Sequence, residues 1–190
     1  STLADHKGSG YDRGHLAPAA DMNFSRDAMS DSFYLSNMSP QKAGFNRGIW
    51  RKAEALVRTW AVEYDEIYVI TGPVFREEMA SIGVNDVTVP SGYYKVVYDV
   101  RKPELKAIGL LFPHEKSSAP LQSFAVSVDK AEQITGLDFF RRAPDEVEEK
   151  LESEYNAGDW KWKTESYRKS SAGGDEDEET AGIRASGKDF

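Results

Sequence analysis

Cysteine is absent from the 190 residues, which excludes a disulfide scaffold, thiolate metal sites and a cysteine nucleophile. No apolar run approaches the ~20 residues of a membrane-spanning helix, so no membrane partner is expected. There is no P-loop, no internal repeat and no cluster of carboxylates at the spacing of a two-metal site. Methionine is missing at position 1, so Ser1 reads as the product of processing or truncation, with any targeting segment already removed. What is present is ample for one packed domain. Hydrophobic residues make up 39% and aromatic residues 12%, a composition that excludes wholesale disorder and a collagen-like chain.

The net charge of −8 is unevenly spread. Residues 1–60 hold 8 basic and 6 acidic side chains, a balance of +2, whereas residues 61–190 hold 16 and 26, a balance of −10. Part of that deficit is the run Asp175–Glu179 behind Gly173-Gly174, which repels itself and lacks apolar anchors. A folded domain over 1–169 and an acidic disordered tail over 170–190 follow.

Residues 1–15 are too punctuated by Gly8, Gly10 and Gly14 for a helix. Ser25–Phe33 forms a short capped helix, Phe33–Leu35 is extended, and Ser39-Pro40 makes a break. Apolar residues recur at helical spacing from Phe45 to Tyr64, the longest helix in the sequence. Period-two, β-branched runs then predict strands over Ile67–Val74, Tyr93–Val100, Ala107–Phe112 and Ser123–Val128, the second and third joined by the Arg101–Glu104 turn. Asp129 caps a helix that Gly136 closes, and a further helix covers Asp145–Glu154. Strands and helices come in blocks without βαβ alternation, which predicts an α+β fold with a mainly antiparallel sheet.

Three polar groupings lie in the first 60 residues: Asp12-Arg13-Gly14-His15, then Asn37-Met38-Ser39-Pro40-Gln41, then Asn46 with Glu54 and Arg58. His15 titrates near neutral pH, Arg13 is a permanent cation beside it, and Gly14 admits close approach of a ligand to the backbone. Eight residues are about 2.2 helical turns and four about 1.1, so Asn46, Glu54 and Arg58 share one helical face. Taken alone, that face also fits a solvated stripe with an i,i+4 ion pair. Of the other histidines, His6 reads as an exposed loop residue and His114 as structural. Trp160 and Trp162 read as a cover for the core.

The stretch Gly10–Pro18, followed by Asn37, Ser39-Pro40-Gln41, Asn46, Trp50 and Glu54, resembles the sugar-nonspecific DNA/RNA endonucleases of the ββα-metal (His-Me finger) superfamily. The resemblance weakens through Thr71-Gly72-Pro73 and Thr135-Gly136-Leu137 and ends near residue 155. It implies a ββα finger packed on the antiparallel sheet with flanking helices. His15 becomes the general base and Asn46 the single side-chain ligand of Mg²⁺, with Mn²⁺ or another divalent cation as a substitute. Glu54 orients a water on that metal, and Arg13, Asn37 and Arg58 contact the substrate phosphate. DNA and RNA are the implied partners, with a homodimer and a protein inhibitor as further ones. The implied location is extracytoplasmic, with a mitochondrial one as the alternative. Members of the family carry a substantial stretch before the signature, whereas 11 residues precede Asp12 here, so an N-terminal part is expected to be missing or cleaved. Two rival readings stay open: a nuclease-like module that binds nucleic acid or protein without cutting, and a phosphohydrolase of small phosphoesters.

Overall fold

Tyr93-Tyr94-Lys95-Val96-Val97 is apolar on both sides of its pleat except at one lysine, and it forms the centre of the fold. In the computed structural model, which describes residues 1–99, 101, 105–141, 144–153 and 155–163, this run lies in strand β6 (Gly92–Asp99). It pairs antiparallel with β3 (Ile67–Val74) on one side and with β7 (Lys106–Pro113) on the other; β7 in turn pairs with the short β8 (Ala125–Val126). The sheet order is β3-β6-β7-β8.

Both faces of this sheet are covered, which is why β6 carries apolar side chains at successive positions. Helix α3 (Arg51–Glu63) puts Ala53, Leu56, Val57 and Trp60 on one stripe, and this stripe packs with Phe45, Ile49 and Trp50 against Tyr93, Val97, Ile108, Leu110 and Phe112. The opposite face, with Tyr94, Val96 and Ala107, is covered by α4 (Val128–Thr135) and α5 (Asp145–Ser153) through Val128, Ala131 and Leu151. Trp160 closes the first core at 4.6 Å from the Trp60 ring, and the Trp162 indole stands edge-on to Trp60. The aromatic pair therefore covers the core, as expected. The fold is α+β.

A second, two-stranded sheet precedes this body: β1 (Asp12–His15) runs antiparallel to β2 (Met38–Gln41), with His15 opposite Met38 and Asp12 opposite Gln41. With the following helix it makes the ββα unit. Between the strands lie a 3₁₀ turn Ala19–Met22, helix α2 (Arg26–Asp31) capped by Ser25 Oγ on the Ala28 N–H, and a 3₁₀ turn Leu35–Asn37.

Several expectations are corrected. Residues 3–6 form one helical turn, α1 (Leu3–His6), because the Asp5 carboxylate accepts from both the Thr2 N–H and hydroxyl. Phe33–Leu35 is a turn entering the 3₁₀ segment rather than extended chain, and Ser39-Pro40 lies inside β2. Proline is tolerated there because the two-stranded sheet leaves one edge of β2 unpaired. The long helix is not continuous: Phe45–Trp50 forms a π-helical turn with a non-helical Gly48 before α3 begins. The Ser123–Val128 strand shrinks to β8 behind a 3₁₀ turn Leu121–Phe124. Ser127, not Asp129, caps α4, while Gly136 closes it in the left-handed region at φ 71°. His6 is buried. A small hairpin of β4 (Ser81–Ile82) and β5 (Val87–Thr88) had no counterpart in the sequence reading. The end of the second predicted strand at Val100, the turn at 102–104, the helix end at Glu154 and the 170–190 tail lie outside the described residues. Among the described residues, no helix is long and apolar enough to cross a membrane.

Candidate active site

Two hydrogen bonds, one helical turn apart, staple β1 to the entrance of the helix. At one end the Asn46 Nδ2 donates to Asp12 Oδ2 at 2.9 Å; at the other the Trp50 Nε1 donates to the His15 carbonyl at 3.2 Å. Asp12 also accepts from Arg47 Nε and Nη2 at 2.9 and 2.8 Å. Burial opposes the charged form of Asp12, but the bonds from Arg47 and Asn46 and the Arg47 charge outweigh it and hold the carboxyl below its usual range. With its NH₂ held by a carboxylate, the Asn46 carboxamide has one orientation: Oδ1 turned away from Asp12.

The strands are held from below. Tyr93, on the main sheet, donates its hydroxyl proton to the Pro40 carbonyl at 2.9 Å and accepts from Ser39 Oγ at 2.8 Å. His114 accepts from the Lys42 N–H at Nε2 (2.7 Å) and donates from Nδ1 to the Pro90 carbonyl (2.8 Å), which fixes one neutral tautomer. It is structural, as expected. Gly14 has no room for a side chain, since a Cβ there would come within 2.1 Å of the buried Gln41 carboxamide.

His15 is half-buried, and its Nε2 is enclosed with no hydrogen-bond partner among the described residues. Burial and the nearby Arg13 charge push its pKa down, so the ring is neutral at pH 7 and can accept a proton. Phe33 stands edge-on to the imidazole at 4.8 Å and limits its rotation. Arg13 is exposed and shares a cleft of about 690 Å³ with Asn46, His6, Lys7, Tyr11 and Arg47; His15, Asn37, Glu54 and Arg58 are not in its lining. The side chain of Asn37 is spent on backbone: it accepts from the Ala17 N–H and donates to the Ala17 and Ser32 carbonyls, at 2.8–2.9 Å. Its position fixes the chain just beyond His15. Arg58 pairs with Asp21 at 2.8 Å rather than with Glu54.

Glu54 sits one turn beyond Trp50, on the side of α3 that looks toward β6. Burial pushes its pKa up to about 7, against the pull of Lys95 and Arg58. Lys95 is the site residue that the sequence reading missed. It is 1% exposed, sits 4.3 Å from the Trp50 ring centroid and donates to Thr71 Oγ1 at 3.1 Å. Burial lowers its pKa to about 8, with Glu54 the largest influence in the other direction. The signal was available: period two puts Lys95 with Tyr93 and Val97 on the face under α3, where a charge requires a partner. Phe33 and Asp21 were also missed, and nothing local in their sequence marks them.

The donor set at Asn46 suits a hard divalent cation. A neutral amide oxygen is held open by Asp12, and among the described residues no group of three carboxylates or imidazoles converges on it. A single protein oxygen fits Mg²⁺, which keeps most of its water.

Comparison with known proteins identifies the family. A model of the DNA/RNA non-specific endonuclease family matches residues 1–146. Nuclease C1 of Cunninghamella echinulata var. echinulata is 40% identical over 74% of this chain and 61% of its own length. The mitochondrial endonuclease G of Bos taurus is 35% identical over 73% of the chain and 51% of its own length. Among solved structures, the EndoG/EndoGI complex described for the mechanism of EndoG inhibition superposes with a TM-score of 0.71 at 34% identity, covering 76% of this chain and 64% of that one. The chain thus spans about half to two-thirds of the length of these relatives. On the family match and the ββα site together, the chain belongs to the DNA/RNA non-specific endonuclease family.

Proposed function

We propose that this chain is a divalent-metal-dependent endonuclease that hydrolyses phosphodiester bonds of DNA and RNA with little sequence preference. The observation that carries this reading is a half-buried His15, held neutral by burial and Arg13, on the strand stapled to the segment that bears Asn46, whose oxygen is oriented by Asp12. In the reaction, a water attacks phosphorus while the neutral His15 imidazole takes its proton. The bond from phosphorus to the 3′-oxygen breaks, and that oxygen leaves with a proton. Asn46 is the residue that would hold Mg²⁺ or Mn²⁺, which when bound supplies positive charge at the phosphate and acidifies a water to protonate the leaving oxygen. Arg13, exposed beside the cleft, meets the developing phosphorane charge. Glu54 is the carboxylate available to orient water on the helix side, and Lys95 favours its ionised form. Asn37 acts on the site by fixing the turn after His15, and Arg58 by holding Asp21 against α3, with any substrate contact secondary. None of these groups is aimed at a base edge, which supports cleavage without sequence readout. A homodimer and a protein inhibitor are further proposed partners; the solved EndoG/EndoGI complex supports the second.

The test is digestion of supercoiled plasmid and of a structured RNA by the full chain, with Mg²⁺ and with EDTA. Internal cuts in both substrates, stopped by EDTA, are the expected result. Binding of both without any cutting would establish the non-catalytic module instead.

A further inference from the structure

Far from the ββα unit, on the opposite face of the main sheet, five carboxylates gather between α4 and α5. Asp129 and Glu132 project from α4 three residues apart, and Glu148 and Glu152 from α5 one turn apart. Asp138 follows Gly136, whose left-handed conformation turns the chain back toward the helix pair, where the Phe139 N–H donates to Glu132 Oε1 at 2.7 Å. One oxygen from each of Asp129, Glu132 and Glu152 lies within 4.8 Å of the others, and the same holds for Asp138, Glu148 and Glu152. Glu152 belongs to both sets. It is 8% exposed, and its Oε1 is enclosed with no hydrogen-bond partner among the described residues. The cluster is invisible in sequence because its members span residues 129–152.

A buried carboxylate that shares close sets with other carboxylates, and whose enclosed oxygen has no donor among the described residues, is costly unless a cation completes it. Among the described residues, no lysine or arginine forms an ion pair with Asp129, Glu132, Asp138 or Glu152. Acidic side chains on a protein surface commonly gather without an ion; the distinguishing feature here is that Glu152, the residue common to both sets, is buried and carries an enclosed oxygen without a hydrogen-bond partner among the described residues. We propose that α4 and α5 bind a Ca²⁺ ion, with Glu152 as the central ligand and the carboxylates of Asp129, Glu132, Asp138 and Glu148 around it. Ca²⁺ suits the site better than Mg²⁺. It accepts 6–8 oxygens at irregular angles, whereas Mg²⁺ demands a near-octahedral shell and gives up water reluctantly. The ion would lock α5 onto α4 and the sheet, so its role is structural, and it is separate from the cation that Asn46 would hold.

Calorimetric titration of Ca²⁺ into the full chain, with thermal unfolding in Ca²⁺ and in EDTA, tests this directly. Binding should persist in Asn46→Ala and disappear in Glu152→Gln, and the Ca²⁺-dependent rise in Tm should disappear with it. Asp129→Asn with Asp138→Asn, both on exposed positions, should weaken Ca²⁺ binding at least tenfold and serve if Glu152→Gln does not fold. Cleavage in Mg²⁺ by folded Glu152→Gln and by Asp129→Asn with Asp138→Asn should stay within twofold of the parent. A Ca²⁺ signal that is lost in Asn46→Ala but kept in Glu152→Gln overturns the proposal. So does a chain whose Tm ignores Ca²⁺ and rises only on acidification, since Glu152 would then be neutralised by a proton.

Discussion

Removing the Asp12 carboxylate should weaken metal binding far more than it weakens the chemical step. The Arg47 side chain that pairs with Asp12 is 73% exposed, so that ion pair contributes about 0–1 kcal/mol. The bond from Asn46 matters for a different reason. A carboxamide has nearly the same shape in its two flipped states, and only the 2.9 Å contact from Nδ2 to Asp12 distinguishes them. A hydrogen bond to a charged acceptor is worth about 1.5–3 kcal/mol, which biases the flip by roughly 10- to 150-fold toward the state with Oδ1 open. In Asp12→Ala that bias is lost and the side chain gains rotamer freedom. The expected cost is about 10–100-fold in apparent Mg²⁺ affinity, the usual effect of deleting a partner that orients a metal ligand. At saturating Mg²⁺ the rate should return to within a few-fold, because His15 and Arg13 are untouched. Asp12→Asn retains an acceptor for Asn46 and should lose less. The assay is the initial rate of plasmid relaxation across a Mg²⁺ series, with calorimetric Mg²⁺ binding and a melting curve to confirm folding. A folded Asp12→Ala protein with unchanged half-saturating Mg²⁺ would refute the orienting role.

Other consequences follow from the same geometry. Lys95→Met removes the largest influence that opposes the rise of the Glu54 pKa to about 7, so the rising limb of the pH–rate profile should move to higher pH. Lys95 itself is lowered to about 8 from 10.5, so the folded chain binds fewer protons than the unfolded one between those values; stability should rise with pH across that window in the parent and not in Lys95→Met, as read by Tm. Gly14→Ala forces a methyl into Gln41 and should cost about 1–3 kcal/mol, with Gln41→Ala recovering part of it in the double variant. Among the described residues, Arg13 and Lys7 are the cleft cations without an ion pair, so about two or three phosphates should be neutralised. DNA affinity should then fall only about 10–40-fold between 50 and 200 mM salt, and a steeper slope in a filter-binding series would reveal a basic surface elsewhere.

The candidate site was legible in sequence where several polar residues recur at the family's spacing: His15 in Asp12-Arg13-Gly14-His15, and Asn46 one segment later, which the fold places on two elements joined by hydrogen bonds. The strands of the main sheet were legible because Ile67–Val74 and Gly92–Asp99 are β-branched and aromatic runs bounded by glycine and proline. What escaped depends on contacts distant in sequence. The break in the long helix at Gly48 is set by how Asn46 and Trp50 reach β1, and periodicity alone carries the helix through. Ser127 and Asp129 are both sound caps, and only the fold chooses Ser127, whose Oγ accepts from the Lys130 N–H. Asn37 was expected to touch phosphate, yet its carboxamide already makes three backbone bonds that no local pattern encodes. Lys95 and Glu152 acquire their surroundings only when the sheet is covered on both faces.

The central claim is that His15 accepts the proton of the attacking water. Single-turnover cleavage of plasmid DNA by His15→Ala at saturating Mg²⁺, with binding measured in parallel, tests it most directly. The account predicts a rate lowered about 10²–10⁴-fold with DNA affinity and Tm close to those of the parent, because proton transfer is lost while the charge contacts remain. Cleavage by the folded variant at the parent's rate would contradict it.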